Sequence, residues 1–187
     1  GADQSGHIAS VGYETYKDLI AETVAEAQGK PLRRRNLPPF EIIADAFIPD
    51  AYVQSAPQKI TLYRRIAGTT SIEEIEELKG ELKDRFGPIP KPTLRLLQIM
   101  ETRALAMEIR AASIEAGPGK IIMRLETADV LAPAAQSQLR SVYGNSLQFA
   151  WSDKPAVTIV PEKNGDLLRV THGLVTLLHQ MLHEEAE

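Results

Sequence analysis

Along the chain, stretches whose apolar residues recur every three to four positions alternate with short runs of apolar residues. Tyr13, Tyr16, Ile20, Val24 and Ala27 share one helical face, because positions three and four apart lie on the same side of a helix. Gly29 and Pro31 stop that helix,. Residues 40–47 predict a strand, with Ile42, Ile43 and Phe47 fenced by Pro38-Pro39 and Pro49-Asp50,. A short helix follows, with Pro57 near its first turn, Ile60, Tyr63 and Ile66 on one side, and Gly68 at its end,. Ser71 opens the clearest helix of the chain. Ser71 and Glu74 have the spacing of a capping box,. Ile72, Ile75, Leu78, Leu82 and Phe86 make its buried stripe, and Gly87-Pro88 ends it,. Gly80 sits inside this helix, where it costs about 1 kcal/mol relative to alanine, so a close approach of another backbone is expected there.

Residues 90–110 predict the longest helix. Leu94, Leu97, Met100, Ala104 and Met107 lie on one face, with Leu96, Ile99 and Leu105 elsewhere. An apolar surface that wide suits a helix packed on more than one side. Residues 112–115 and 120–126 read as a hairpin across Gly117-Pro118-Gly119,. A helix over 130–143, strands over 147–151 and 157–160, and a last helix over 165–185 complete the pattern. In the last helix Leu167, Val170, Leu174, Leu178 and Met181 are expected inward. Strands and helices do not alternate regularly, which argues against a doubly wound parallel sheet. The expected class is α+β: a small mixed or antiparallel sheet packed against several helices, preceded by an N-terminal helix and a basic linker. The expected division is 1–36, an arm, helix and basic linker, and 37–187, the α+β domain.

Composition narrows the chemistry. The 187 residues contain no cysteine, which excludes disulfides, thiol nucleophiles and cysteine-based metal centres. No apolar run approaches the ~20 residues of a membrane helix. The first residues lack the basic segment and apolar run of a secretory leader, and a cytoplasmic location is expected. A net charge of −4 and an aromatic content of 5 % disfavour a duplex-binding stripe or a stacking platform. The basic run Lys30-Pro31-Leu32-Arg33-Arg34-Arg35 and the pair Arg64-Arg65 keep a nucleic-acid-binding accessory role open as the alternative.

Few residues point to catalysis. No phosphate-cradling glycine loop, dinucleotide fingerprint or hydrolase nucleophile elbow is present. His179 and His183 are four apart on the last helix, a spacing that could hold a metal, with Glu184 and Glu187 close in sequence. They read as an exposed pair complementing the helix C-terminus, and no metal, cofactor or catalytic residue is assigned. Glu74, Glu77, Glu81, Asp84 and Arg85 share one helical side. That side is either a solvated acidic face or a charged patch that docks a partner reversibly.

Several strings in order carry a resemblance: Gln4-Ser5-Gly6-His7-Ile8; Phe47-Ile48-Pro49-Asp50-Ala51-Tyr52-Val53; Leu62-Tyr63-Arg64-Arg65-Ile66-Ala67; and Glu81-Leu82-Lys83-Asp84-Arg85-Phe86-Gly87-Pro88. Together they resemble the C-terminal part of the bacterial transcription-repair coupling factor (Mfd) family. The resemblance implies a regulatory domain of an ATP-driven DNA translocase that displaces stalled RNA polymerase and recruits UvrA for nucleotide excision repair. It implies that the domain folds back on the N-terminal UvrA-homology module of the same protein, masks the UvrA-binding surface and restrains the motor. On the same ground Glu81, Asp84 and Arg85 are the expected clamp residues, and Gln4 is a remnant of the translocation motif. ATP and Mg²⁺ would belong to the parent protein, with no cofactor in this segment. RNA polymerase, UvrA and double-stranded DNA would be partners through the parent only.

Overall fold

The computed structural model describes residues 39–184. The predicted helix over Tyr13 to Ala27, the basic linker and Gln4 lie outside those residues. The described chain forms two compact units: Ala44–Glu101, and the strand segment up to Ile43 together with the chain from Thr102 onward. Among the described residues the elements are those of an α+β fold, as expected.

In the first unit, α1 (Ala56–Gly68) is capped by Ser55, whose hydroxyl accepts from the Gln58 amide, and a proline occupies the first turn. Leu62, Tyr63 and Ile66 are buried. Ile60, expected inward, is 42 % exposed; Leu62 takes its place, so the apolar stripe is rotated from the expected one. Helix α2 (Ile72–Phe86) starts at Ser71, whose side chain accepts from the Glu74 amide at 3.2 Å. The return bond of the box goes one residue further back, to the Thr70 amide at 2.7 Å. One orphan donor of the first turn, the Glu74 amide, is thereby satisfied, together with the amide of the residue before the cap,. Ile75, Leu78 and Leu82 are buried, whereas Ile72 and Phe86 are half-buried. Gly87 leaves the helix at φ +83°, a conformation glycine adopts without a Cβ penalty. Gly80 faces open space, so the close backbone approach expected there does not occur.

Helix α3 (Lys91–Glu108) is broadly apolar, with Leu96, Leu97, Ile99, Met100, Ala104 and Leu105 all buried. Its residues to Glu101 belong to the first unit and the rest to the second. Leu94, placed on the inward face by its spacing, is 44 % exposed. After α3, Arg110 takes a left-handed conformation with φ +52°, and the chain turns into the sheet.

The second unit holds a five-stranded sheet in the order β1 (Phe40–Ile42), β2 (Ala111–Gly117), β3 (Lys120–Leu125), β5 (Ala156–Ile159), β4 (Leu147–Ala150). β1 runs parallel to β2, and the other pairs are antiparallel. β1 is shorter than the predicted strand because its backbone donors soon leave the sheet. The Ile43 amide still reaches Ala116 O at 3.2 Å, but the Phe47 amide donates to Pro92 O at 3.3 Å. The predicted hairpin is present, with Gly117 paired to Lys120 and Gly119 at φ +88° completing the turn,. On β3, Ile121, Met123 and Leu125 are fully buried while the intervening side chains are not, the alternation of a sheet with one face in the core.

The helix predicted over 130–143 divides. A short 3₁₀ turn at Asp129–Leu131 precedes α4 (Pro133–Tyr143). Pro133 forces Ala132 into an extended conformation, seen as ψ 156°. In α5 (Leu167–Glu184) the buried side chains are Leu168, Thr171, Leu174, Val175 and Leu178. The stripe has the expected period but is turned from the expected phase, with Leu167, Val170 and Met181 only half-buried. No helix among the described residues is long and apolar enough to cross a membrane.

Candidate functional site

The C-terminal turns of α2 carry the three clamp residues expected from the sequence, and the fold of the first unit explains their setting. Glu81 is the centre of an ionic cluster. The guanidinium of Arg65, on α1, donates two parallel bonds to its carboxylate, at 2.7 and 2.6 Å. Arg85, one turn further along α2, donates a third at 2.8 Å. Paired bonds of this kind fix geometry as well as charge. The hydrogen bonds from Arg65 and then from Arg85 hold the Glu81 carboxyl at about 2, far below its usual range. The same pairing pushes Arg65 further up.

Around this cluster the family-like strings meet one another. The Ile48 amide donates to the Tyr63 hydroxyl at 2.8 Å. The Tyr52 hydroxyl donates to the carbonyls of Leu82 at 3.0 Å and Gly87 at 3.2 Å, and the Gly87 carbonyl is an acceptor that the helix end leaves without a helical partner. The Tyr52 ring lies 5.7 Å from that of Phe86, and the Arg85 guanidinium sits 5.2 Å over Phe86. Lys59 pairs with Asp50. Each of the three strings within the described residues therefore supplies a partner for another, and most of these contacts hold the unit together.

What remains available to a neighbour is narrower than the expected trio. Glu81 is engaged by two arginines, and its side chain is one third exposed. Arg85 is about half exposed. Asp84 is exposed and makes no ion pair among the described residues. A groove of about 340 Å³ runs beside the cluster, lined by Arg65, Gly68, Thr69, Glu74, Glu77 and Glu81 among others. Arg65 also borders a second groove of about 200 Å³ with Arg85 and Phe86. A carboxyl held at about 2 is a fixed anion, unsuited to moving protons near neutrality. The cluster presents ordered, fixed charge at the end of α2.

Sequence reasoning missed Arg65 as the partner of Glu81. The Leu62-Tyr63-Arg64-Arg65 string stands out in the sequence, but the sixteen-residue separation carries no periodic signal. Sequence reasoning also missed the neighbour of the histidine pair. His179 and His183 do lie side by side, with ring nitrogens 3.0 Å apart. Among the described residues the third group there is Glu108 of α3, 2.5 Å from His179 Nε2, rather than Glu184, and Glu187 lies outside the described residues.

Comparison with known proteins gives the family and the fold. Residues 42–136 match the family model described as the TRCF domain. The transcription-repair-coupling factor of Haemophilus influenzae is 37 % identical over 122 residues, 63 % of this chain and 11 % of that protein. That of Bacillus subtilis is 34 % identical over 116 residues, 62 % of this chain and 10 % of that protein. That of Rickettsia prowazekii is 33 % identical over 126 residues, 66 % of this chain and 11 % of that protein. The matched stretch thus spans about a tenth of these relatives. A crystal structure of the C-terminal domain of transcription-repair coupling factor shares the fold, with a TM-score of 0.64 at 23 % identity, over 80 % of this chain and 97 % of that one.

Proposed function

Because the chain belongs to the TRCF-domain family of transcription-repair coupling factors, we propose that it is a non-catalytic interaction domain that restrains the longer protein of which such domains form the C-terminal part. In this reading it docks on the N-terminal UvrA-homology module of the same protein, covers the surface that binds UvrA, and holds back an ATP-driven DNA translocase until RNA polymerase is engaged. The observation that carries the reading is the exposed end of α2, where Arg85 is ordered within the ionic cluster of Arg65 and Glu81 and Asp84 stands exposed beside it. An ordered guanidinium loses less side-chain freedom on meeting a carboxylate than a free one does. Glu81 is then a positioning residue, and Asp84 and Arg85 make the contact.

A domain that binds only the closed state sets the closed fraction by its differential affinity. A few half-buried charge pairs supply about 1–3 kcal/mol, a bias of roughly 5- to 150-fold. That is strong enough to hold and weak enough to release. The test is the ATPase rate and UvrA binding of the full-length protein without polymerase. Asp84→Arg combined with Arg85→Glu should raise both by a factor within that range. Wild-type values in a folded double variant would overturn the assignment.

A further inference from the structure

We propose that Glu108, His179 and His183 form a binding site for a divalent transition-metal ion of the zinc class. All three residues belong to the second unit, and one ligand atom from each lies within 4.8 Å of the other two. Glu108 Oε2 is 2.5 Å from His179 Nε2 and 3.7 Å from His183 Nε2, and the two ring nitrogens are 3.0 Å apart. Around a tetrahedral zinc ion with bonds of about 2.0–2.2 Å, neighbouring ligand atoms are about 3.3–3.5 Å apart. The observed triangle brackets that spacing.

Protons alone satisfy this triangle poorly. A ring nitrogen carries either one N–H or one lone pair. If His179 Nε2 donates to Glu108, it has no lone pair left for His183. If it accepts from His183, it faces the carboxylate with a lone pair. A single cation satisfies all three atoms together, since two neutral imidazoles and a carboxylate are the donor set that borderline divalent metals favour. The backbone adds to this. Glu108 is the last residue of α3, and His183 lies in the last turn of α5. Helix C-termini carry partial negative charge that favours a cation. His183 is two-thirds exposed and Glu108 about half exposed, so an ion held there keeps coordination positions open to solvent. Bound metal would join the end of α3 to the last turns of α5.

The experiment is calorimetric titration of the untagged 187-residue chain with ZnCl₂ at neutral pH, with MgCl₂ as the control. One equivalent of zinc should bind with half-saturation below about 100 μM, weaker than four-ligand structural sites, while Mg²⁺, which prefers oxygen ligands, gives no comparable signal. The melting temperature should rise with zinc concentration. His183→Gln and the near-isosteric Glu108→Gln should each weaken zinc binding by about 10-fold or more, and in the presence of a chelator both should melt as the wild type does. Half-saturation above 100 μM overturns the proposal. So does zinc binding that survives at wild-type affinity in both variants, which would place the ion elsewhere in the chain.

Discussion

Both units bury apolar side chains, but the first adds polar contacts between its segments: tyrosine hydroxyls on backbone groups, and two arginines on one carboxylate. The second is built on a sheet with one apolar face, with Ile114, Ile121, Met123 and Val157 fully buried. The contrast explains where a family resemblance can be seen. A hydrogen bond needs a particular residue type at each end, whereas a buried position accepts several apolar residues of similar volume. The strings Ile48 to Tyr52, Tyr63 to Arg65 and Glu81 to Gly87 are thus recognisable because they are one another's partners. The sheet contributes a pattern of apolar and polar positions rather than a signature.

Three substitutions break or sharpen that contrast. The largest effect belongs to the sheet of the second unit. Ile114→Ala, at a position with no solvent exposure, should destabilise by about 2–5 kcal/mol, read from urea denaturation followed at Trp151, the single tryptophan of the chain. Next comes Tyr63→Phe in the first unit, which keeps the ring and removes the acceptor of the buried Ile48 amide. Leaving that donor unpaired should cost about 1–3 kcal/mol and accelerate hydrogen exchange at the Ile48 amide. An unchanged exchange rate would show that the hydroxyl does not hold the loop.

The smallest effect is at Glu81, and it is a matter of pH. Its carboxyl is held at about 2 from an ordinary value of 4.5. Its stabilising contribution is therefore complete above about pH 4.5 and is lost as pH falls through about 2. In wild type the urea midpoint should decline across that window. Glu81→Gln should lower the plateau above pH 5 slightly, because the pair is exposed, and flatten the decline. Identical profiles would mean that the cluster contributes nothing to folding.

Local signals were legible in the sequence, and long-range ones were not. The cap at Ser71, the stop at Gly87 and the turn at Pro118-Gly119 follow from residue types within four positions of one another. So did the α+β class, from the order of periodic stretches. The phase of α5 was not legible, because Leu167, Leu168, Val170, Leu174, Val175, Leu177 and Leu178 surround much of the helix, and period alone does not say which of them face inward. The inward place of Leu62 over Ile60 is the same problem in a shorter helix. The pairs Arg65–Glu81 and Glu108–His179, sixteen and seventy-one residues apart, are products of tertiary folding. The expected clamp residues rest on the resemblance, and only the coordinates show that Glu81 and Arg85 bond one another while Asp84 is exposed with no ion pair among the described residues.

The central claim is that the charged end of α2 grips another module of the same protein. Its most direct measurement is the affinity of this chain for the isolated N-terminal UvrA-homology module, at low salt and at high salt. The account predicts saturable binding that weakens as salt screens the contact and weakens further in Arg85→Glu. Absence of binding at low salt, or an affinity indifferent to both salt and Arg85, would contradict it.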